Sequence, residues 1–472
     1  MGSTFSRRDM LALSSMLAMT PAAPRAAPLA KSNLADFAKR VEVLRERNKL
    51  EALGVAATLH GKPVFVRAFG RASLPFSSPA NSATLFHIGS VSKHVTAAAV
   101  LRLLEARKIS VDEPLGRFVH GLPFDWGNQP IRRLLTHTSG IPDYEEGFDW
   151  DRPFDRAGFL KMAATRASNF PSGAAWSYSN TNYVLLGFLV EDLSGKSYRE
   201  YVTEELLRPA KVPHARVDAA EDVIVNRAEP YLVTPEGVRH ATRMNSDVSA
   251  MPDGGILMSA SDFAAWNQSI DNGPALSTFG RAQMFSAATL TTGRQVPYGF
   301  GWLVEELGVG RPFCWHTGSV PGFLTFILKS PATGVDVLIL SNVDAGTSRP
   351  LRQIGQELAE AIAPGSTPYS LMPVPDRNPE LTAAAKTLVV HGDIKSNLKQ
   401  FAPEMLAQIE GPIGADAVMM FSARNPDSFQ LVHETVRPNE RIRRYRLTYG
   451  ERFDHISFCY TPDNLIYCIF GI

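Results

Sequence analysis

Two residue types that can act together as nucleophile and base lie three positions apart in the segment Phe86–Glu105. Ser90 and Lys93 form the pattern Ser-x-x-Lys at the start of an apolar stretch with helical spacing. A serine hydroxyl becomes a good nucleophile only when a base takes its proton, and residues three apart on a helix share a face. The same pattern recurs at Ser396 and Lys399. Taken alone, Ser90 is therefore more typical of a helix N-cap.

Two further short motifs follow along the chain. Tyr178-Ser179-Asn180 stands between a glycine-containing turn and an apolar helical pattern, where a tyrosine hydroxyl can enter a cleft. His316-Thr317-Gly318-Ser319 ends a strand-like run and enters a glycine-bracketed turn. Because Gly318 has no side chain, a substrate can lie close to that strand and meet backbone N–H groups. The ordinary alternatives are an aromatic that anchors a loop and a plain β-turn.

The order and spacing of the three motifs resemble the serine β-lactamase and penicillin-binding-protein superfamily. "LLTHTSGIPDY" stands between the first two motifs, and "GGILMSASDFAAW", "YGFGW" and "LILSN" occur in the family's order. The sequence is most similar to the class C-like branch, which includes D-alanyl-D-alanine carboxypeptidases, D-aminopeptidases and esterases. The resemblance covers about residues 35 to 363 and not the C-terminal part. It implies the β-lactamase/transpeptidase-like α+β fold.

The resemblance implies a catalytic role for three residues. Ser90 would attack the substrate carbonyl and become acylated, and Lys93 would hold or relay its proton. Tyr178 would act as general base in acylation or in activating the deacylating water, as a unit with Lys93. His137, in "LLTHTSGIPDY", is interpreted as structural because the family's chemistry does not use it directly.

The resemblance also implies which residues bind the substrate. Asn180 would hydrogen-bond the acyl side chain of the substrate. The backbone N–H groups of the nucleophile and of Ser319 would form the oxyanion hole, which is typically worth roughly 3 kcal/mol per donor. His316, Thr317 and Gly318 would line the strand edge where a substrate carboxylate or leaving group lies.

One residue departs from the family's β-lactamases, which have Lys-Thr-Gly where this chain has His316-Thr317-Gly318. Lysine offers a permanent cation to an antibiotic's carboxylate, whereas histidine is mostly neutral near pH 7. The sequence therefore favours hydrolysis of an amide or ester, such as a D-amino-acid peptide or a small ester, through an acyl-enzyme on Ser90.

Three alternatives remain beside this prediction. They are a class C-like β-lactamase, a non-catalytic cell-wall or penicillin-binding protein with the same fold, and an α/β-hydrolase esterase. The last would need Gly-x-Ser-x-Gly, which the sequence lacks. Close to the motifs, the acidic and aromatic segment 143–155, "DYEEGFDWDRPFD", is equally typical of a cleft wall and of a solvated loop.

The elements that must position these residues follow from periodicity. A helix is predicted for Leu34–Asn48, followed by a hairpin around His60-Gly61-Lys62. Residues 90 to 270 are mostly helical and loop-rich, and four strand-like runs then precede a closing helix, Pro350–Ile362. Strands at both ends with helices between them predict an antiparallel sheet, flanked by terminal helices, that carries an inserted, mainly helical lobe. The site is expected in the cleft between the two.

The domain boundaries are predicted from composition. Residues 31–363 would form a β-lactamase-like serine hydrolase domain. Five prolines from Pro364 to Pro379 indicate an extended linker over residues 364–380. Residues 381–472 combine a helical pattern, Leu381–Ile409, with four alternating runs, which predicts a small α+β accessory domain with one packed face.

Three cysteines, Cys314, Cys459 and Cys468, are too few for a disulfide scaffold. The last two flank "YTPDNLIY", which is typical of a hairpin. A two-residue loop at Asp463-Asn464 would place them directly opposite each other, whereas a Pro-Asp-Asn loop with a left-handed Asn464 would place them on opposite faces. The Pro-Asp-Asn sequence favours the second arrangement, so we expect buried free thiols.

The N-terminus is typical of an export signal. Arg7 and Arg8 precede a short apolar run from Met10 to Met19 and a segment rich in small residues and proline. This pattern predicts a twin-arginine-type signal peptide over residues 1–30 and a periplasmic or secreted protein. No other run approaches the roughly 20 apolar residues of a membrane span, so none is expected after signal removal.

Composition restricts the partners. The 48 Lys and Arg residues nearly balance the 47 Asp and Glu residues, which argues against nucleic acid as a partner. CxxC pairs and HExxH are absent, and the sequence predicts neither a metal nor another cofactor. The expected partner is a small-molecule or peptide substrate, and the sequence does not specify an oligomeric state.

Overall fold

The computed structural model describes residues 31–145, 155–163, 165–219, 221–241, 251–308, 310–392, 394–409, 425–450 and 452–471. The predicted signal peptide lies outside these residues. Among the described residues, no helix has the length and apolarity that crossing a bilayer requires.

The large domain is built around a seven-stranded antiparallel sheet. The described strands of the large domain, in all its sheets, are β1 Ala52–Leu59, β2 Lys62–Ser73, β3 Ser78–Pro79, β4 Phe86–His87, β5 Arg216–Val217, β6 Tyr231–Thr234, β7 Gly237–His240, β8 Ile256–Met258, β9 Ala288–Thr289, β10 Gln295–Val296, β11 Leu303–Glu306, β12 Pro312–Val320, β13 Phe323–Ser330, β14 Val335–Ser341 and β15 Val343–Asp344. The main sheet has the order β11-β12-β13-β14-β1-β2-β3. Strands from the two ends of the domain meet at its centre, where Val55 of β1 pairs with Ile339 of β14. The predicted sheet is confirmed.

Helices surround this sheet and form most of the inserted lobe. The described α-helices of the large domain are Lys31–Arg47, Lys93–Arg107, Phe124–Gly127, Ile131–Leu135, Arg156–Ala163, Asn180–Ser194, Tyr198–Tyr201, Ala260–Asp271, Thr278–Met284 and Arg349–Ile362. The predicted hairpin is also present, and its turn residues His60 and Gly61 have φ angles of 50° and 73°. Two successive left-handed residues suit the twist of a tight hairpin.

The two faces of the sheet belong to different hydrophobic cores because successive strand residues point to opposite sides. Val55 and Ala57 of β1 pack in a core with the terminal helices Lys31–Arg47 and Arg349–Ile362. Ala52 and Ala56 of the same strand pack in the core of the inserted lobe. The alternation therefore fixes which side of the sheet receives the lobe that carries the sequence motifs.

The accessory domain contains a four-stranded antiparallel sheet, β16 Ser428–Arg437, β17 Glu440–Tyr449, β18 Arg452–Tyr460 and β19 Ile466–Gly471, in that order. The region predicted as helical, Leu381–Ile409, is divided into separate helices. A helix at Pro379–His391 ends at the left-handed Gly392, and a short 3-10 helix, Lys395–Gln400, precedes the helix Pro403–Ile409.

Both faces of the accessory sheet are packed, so the predicted single packed face is wrong. Tyr445, Phe458 and other side chains of one face form a core with the domain's own helices. The other face contributes Tyr467 and Phe470 to a second hydrophobic cluster, which also contains Leu290 and Val296 of the large domain. The apolar residues on the second face are therefore explained by contact between the two domains.

The prediction for the last hairpin is correct in its turn. Asn464 has a φ of 66°, and the Thr461 N–H donates to the Leu465 carbonyl at 2.8 Å. The left-handed Asn464 and this hydrogen bond form the expected Pro-Asp-Asn loop.

The expected separation of the cysteines is nevertheless wrong. Tyr460 pairs with Ile466, but Cys459 pairs with Cys468, which leaves Tyr467 as an extra residue in β19. A β-bulge of this kind shifts the register by one residue and brings the two cysteines directly opposite each other. All three cysteines are buried and free, as expected.

Candidate active site

The candidate nucleophile lies in a short 3-10 turn, Gly89–Ser92, that leads directly into the helix Lys93–Arg107. Gly89, Val91 and Ser92 are buried, whereas Ser90 is partly exposed. Neither helical segment has a side-chain cap hydrogen bond, so the N-cap interpretation of Ser90 is wrong. The turn presents one accessible hydroxyl at the start of a helix whose first two turns are buried.

Lys93 is buried beside this hydroxyl. Its Nζ lies 3.1 Å from Ser90 Oγ and donates to Asn180 Oδ1 at 2.6 Å and to the Asp253 carbonyl at 2.9 Å. The same nitrogen lies 5.0 Å from the centroid of the Tyr178 ring. The lysine is thus held by contacts from three separate parts of the chain, of which the sequence motifs identified two.

The electrostatics of Lys93 combine two opposing influences. Burial lowers its pKa, while the carboxylates of Asp253, Glu145 and Asp143 oppose that shift, and the pKa remains lower than that of an exposed lysine. The neutral amine is therefore more accessible near pH 7 than it would be on the surface. This is the property that a general base requires.

The Tyr178 hydroxyl is buried near Ser90 without forming a hydrogen bond of good geometry. Burial raises the pKa of Tyr178 well above its usual value, and the nearby Ser90 hydroxyl opposes this shift only in part. The phenol therefore keeps its proton in the free protein. A tyrosinate base is disfavoured by this environment.

His137 positions the loop that carries Tyr178. Its carbonyl accepts from the Ser177 N–H at 3.0 Å, and its Nδ1 accepts from the Ser179 N–H at 3.2 Å. The His137 and Tyr178 ring centroids are 4.3 Å apart. Because His137 is buried and holds both neighbours of Tyr178, its contacts are those of a structural residue.

Asp143 was not identified from the sequence, although its segment was. Its Oδ2 accepts from the Asn180 backbone N–H at 3.0 Å and from Asn180 Nδ2 at 3.2 Å. This contact directs the amide oxygen of Asn180 towards Lys93. The start of the acidic segment, residues 143–145, therefore lies against the site, while residues 146–154 lie outside the described residues. The available sequence signal was an acidic residue followed directly by an aromatic one, Asp143-Tyr144.

Asp253 was also missed. Besides its carbonyl contact with Lys93, its Oδ2 accepts from the Tyr144 hydroxyl at 3.2 Å. Burial raises the pKa of the Asp253 carboxyl, and the charge of Lys93 opposes this. The only local signal was its place before Gly254 and Gly255 in the segment that leads to β8.

The strand edge at Gly318 lies directly against the nucleophile turn. A Cβ on Gly318 would be 2.0 Å from the Ile88 carbonyl oxygen, and a Cβ on Gly89 would be 2.8 Å from Ser319 N. Only glycine permits this approach, which brings the backbone of the turn and the backbone N–H of Ser319 together. β11 pairs with β12 only as far as Trp315. The side of β12 that lies beyond this pairing is where a substrate backbone could lie.

His316 is neutral and already hydrogen-bonded. Its Nδ1 lies 2.6 Å from the Thr317 carbonyl, which can only accept, so Nδ1 carries the proton. Its Nε2 then accepts from the Tyr298 hydroxyl at 3.0 Å. Burial, and next the charge of Lys93, lower the pKa of His316 to about 3. His316 therefore offers no cation at physiological pH.

The remaining motif residues are placed as follows. Thr317 is partly exposed and Ser319 is exposed on the same strand. The second Ser-x-x-Lys pair, Ser396 and Lys399, is exposed on the accessory domain. In the parts of the chain that the structure describes, no cluster of three His, Cys, Asp or Glu side chains could hold a metal ion.

Known proteins are similar to the large domain in sequence and fold. Penicillin-binding protein 4* of Bacillus subtilis (strain 168) is 27% identical over 360 residues, covering 71% of this chain and 76% of the relative. D-aminopeptidase of Brucella canis is 27% identical over 304 residues, covering 62% of this chain and 57% of the relative. The chain thus spans little more than half the length of that D-aminopeptidase.

A solved structure extends the likeness beyond the large domain. The octameric penicillin-binding protein homologue from Pyrococcus abyssi is 20% identical, with a TM-score of 0.60 over 93% of this chain and 95% of that chain. Such coverage is possible only if it reaches the accessory domain, to which the sequence resemblance did not extend. At this identity the likeness concerns the fold alone.

The family assignment rests on the large domain. The family model described as Beta-lactamase matches residues 37–360, which is more than half of the chain and nearly the whole range predicted from the motifs. The antiparallel sheet with its inserted helical lobe agrees with this match. The chain belongs to the Beta-lactamase family.

Proposed function

We propose that the protein is a serine hydrolase that cleaves an amide or ester, such as a D-amino-acid peptide or a small ester, through an acyl-enzyme on Ser90. The observation that carries the proposal is the environment of Lys93. A buried amine with a lowered pKa lies 3.1 Å from an accessible serine hydroxyl. A protein that kept this fold only for binding would not need to bury a lysine beside that serine.

The hydrogen bonds of Lys93 suit the neutral amine as a base. Asn180 Oδ1 and the Asp253 carbonyl can only accept, so they take two N–H groups of Lys93. In the neutral amine the remaining position is a lone pair, and it is directed at Ser90 Oγ. Lys93 would take the proton of Ser90 as its oxygen attacks the substrate carbonyl.

The negative charge that forms on the carbonyl oxygen would be stabilised by the backbone N–H groups of Ser90 and Ser319. Tyr178, which keeps its phenolic proton, would relay the proton from Lys93 to the leaving nitrogen or oxygen. This assignment gives the base to Lys93 and the relay to Tyr178. Deacylation would reverse the sequence, with a water molecule in place of the leaving group.

The neutral state of His316 supports peptidase or esterase activity over β-lactamase activity. Both ring nitrogens are engaged, and neither supplies the cation that a β-lactam carboxylate would use. Similarity to a D-aminopeptidase favours the same direction. The side-chain oxygen of Asn180 accepts from Lys93, and one of its two side-chain N–H groups donates to Asp143. Asn180 would therefore have at most one N–H left for the acyl side chain of a substrate.

Export forms part of the proposal. The paired Arg7 and Arg8 before a short apolar run support transport by a twin-arginine-type signal to the periplasm or beyond. A substrate such as a wall-derived peptide would be met there.

An active-site label tests the proposed function. Wild-type protein should react covalently with a fluorophosphonate or a fluorescent penicillin, Ser90→Ala should not react, and Ser396→Ala should react like the wild type. Loss of labelling in both variants would contradict the motif assignment, and no labelling of the wild type would favour a binding protein. Rates on p-nitrophenyl esters, D-amino-acid amides, a D-Ala-D-Ala peptide and nitrocefin then identify the substrate class. Turnover of nitrocefin far above the others would favour a β-lactamase.

A further inference from the structure

The short strand β10 of the large domain is bound by side chains of the accessory domain. Glu440 Oε2 accepts from the Gln295 backbone N–H at 2.9 Å, and the Tyr467 hydroxyl lies 2.9 Å from the Gln295 carbonyl. Arg437 Nη1 donates to the Gln295 side-chain oxygen at 2.7 Å. The accessory domain thus contacts the backbone donor, the backbone acceptor and the side-chain acceptor of one residue.

The β-bulge in β19 explains how Tyr467 reaches this strand. Without the extra residue, Tyr467 and Cys468 would point to opposite faces of the accessory sheet. With it, both belong to the cluster that faces the large domain. The Tyr467 hydroxyl also lies 2.7 Å from Glu440 Oε2, so these two side chains form one buried unit. Bulges often redirect a side chain in this manner beside functional sites.

Gln295 is connected to the candidate site over three residues. The Tyr298 N–H donates to the Val296 carbonyl at 2.8 Å, which gives the intervening chain a tight turn. The Tyr298 hydroxyl donates to His316 Nε2 at 3.0 Å, and its ring centroid lies 6.3 Å from that of Tyr178. A displacement of Gln295 would therefore be transmitted to two residues of the site.

A second contact supports the same connection. Trp176, two residues before Tyr178, packs against the cluster that contains Val296 of the large domain and Tyr467 of the accessory domain. Its ring centroid lies 5.9 Å from that of Tyr298. The loop that carries Tyr178 therefore packs against the cluster that the two domains share.

We infer that the accessory domain is part of the catalytic unit, and that Glu440 and Tyr467 are positioning residues that hold β10 and, through Tyr298, the site residues His316 and Tyr178. A domain that served only as a separate binding module would not need a buried carboxylate against this strand, and Glu440 is only 4% exposed. The catalytic consequence of this inference rests on the proposed function.

Full-length variants test the inference with a matched control. Tyr467→Phe keeps the ring and removes the hydroxyl, and Glu440→Gln keeps the shape and removes the charge. Asp454→Asn weakens another contact between the domains, the ion pair of Asp454 with Arg349, which does not involve β10. With the best ester of the panel, kcat/KM should fall about 10-fold in the first two variants, mainly through kcat, because small misplacements of catalytic groups are costly. The control should stay within about 2-fold of the wild type.

A readout that needs no substrate accompanies the kinetics. Amide hydrogen exchange in peptides that cover residues 286–300 should be faster in Tyr467→Phe and Glu440→Gln and unchanged in Asp454→Asn. Wild-type exchange in both variants would overturn the inference, and so would faster exchange with an unchanged kcat/KM. If the wild type showed neither labelling nor turnover, the proposed function would fail, whereas the exchange result would still decide whether these side chains hold β10.

Discussion

The Lys93 amine lies closer to Asn180 than to the serine it would activate, at 2.6 Å from Asn180 Oδ1 and 3.1 Å from Ser90 Oγ. Asn180 is in turn held by Asp143 through its backbone and side-chain nitrogens. The motif asparagine therefore orients the base. This arrangement connects Asp143 to the reactivity of Ser90 without a direct contact between them.

Replacing Lys93 should affect both catalysis and stability. Lys93→Met keeps a long side chain and removes the amine, so acylation should slow by at least about 100-fold, since a positioned general base typically contributes this much or more. The melting temperature should fall as well, because Asn180 Oδ1 and the Asp253 carbonyl lose their buried donor, and an unsatisfied buried group costs about 1–3 kcal/mol. Stopped-flow acylation and calorimetry check the two parts. Rapid acylation by Lys93→Met would show that another group is the base.

The pH dependence of kcat/KM should follow Lys93 and not His316. Lys93 must lose its proton to act as a base, so activity should rise with pH through its pKa, which lies below the usual lysine range. His316, with a pKa of about 3, is already neutral above that pH and should add no ionisation near pH 6.5. A pH–rate profile of the wild type and of His316→Gln measures this. An ionisation near pH 6.5 that disappears in the variant would contradict it.

Asp143→Asn should lower kcat/KM and shift its pH dependence. The carboxylate accepts two hydrogen bonds from Asn180, and losing such contacts at a partly buried site costs about 1–3 kcal/mol. Its charge also raises the pKa of Lys93, so the rise in kcat/KM should move to lower pH in the variant. Asp36→Asn, which removes an exposed carboxylate, is the control. An unmoved profile would argue against electrostatic coupling of Asp143 and Lys93.

Gly318→Ala and Ser319→Ala should differ sharply. The Cβ of an alanine at position 318 would collide with the Ile88 carbonyl and push the strand away from the nucleophile turn, so kcat should fall about 100-fold. The Ser319 side chain is exposed, and its alanine variant keeps the backbone N–H that the proposal uses. Ser319→Ala should therefore remain within a few-fold of the wild type. Equal losses in both variants would assign the role to the hydroxyl.

The thiols should be unreactive in the native protein. Burial raises the pKa of Cys314 to about 12 and that of Cys459 well above its usual value, so thiolates are scarce and inaccessible. Titration with a chromogenic disulfide should detect almost no thiol in the folded protein and all three after denaturation without reductant. Only one thiol after denaturation would mean that Cys459 and Cys468, which are directly opposite, had become linked.

The sequence by itself determined the family, the fold class and the order of the elements. Helical spacing predicted Leu34–Asn48 and Pro350–Ile362 within a few residues of the observed helices, and strand runs predicted β12, β13 and β14. These features depend on local periodicity and turn chemistry, which a linear sequence contains. The motifs at Ser90, Tyr178 and His316 are recognisable for the same reason.

Only the tertiary structure decided which residues complete the site. Asp253 reaches Lys93 from 160 positions away, and Glu440 reaches Gln295 from 145 positions away. The β-bulge that directs Tyr467 towards the large domain could not be predicted from the sequence, because no local pattern marks it. One extra residue nevertheless changes the face of every side chain that follows it in the strand. Likewise, the neutral state of His316 depends on burial and on Tyr298. Such contacts arise from packing between distant segments, so their energies cannot be inferred from local sequence.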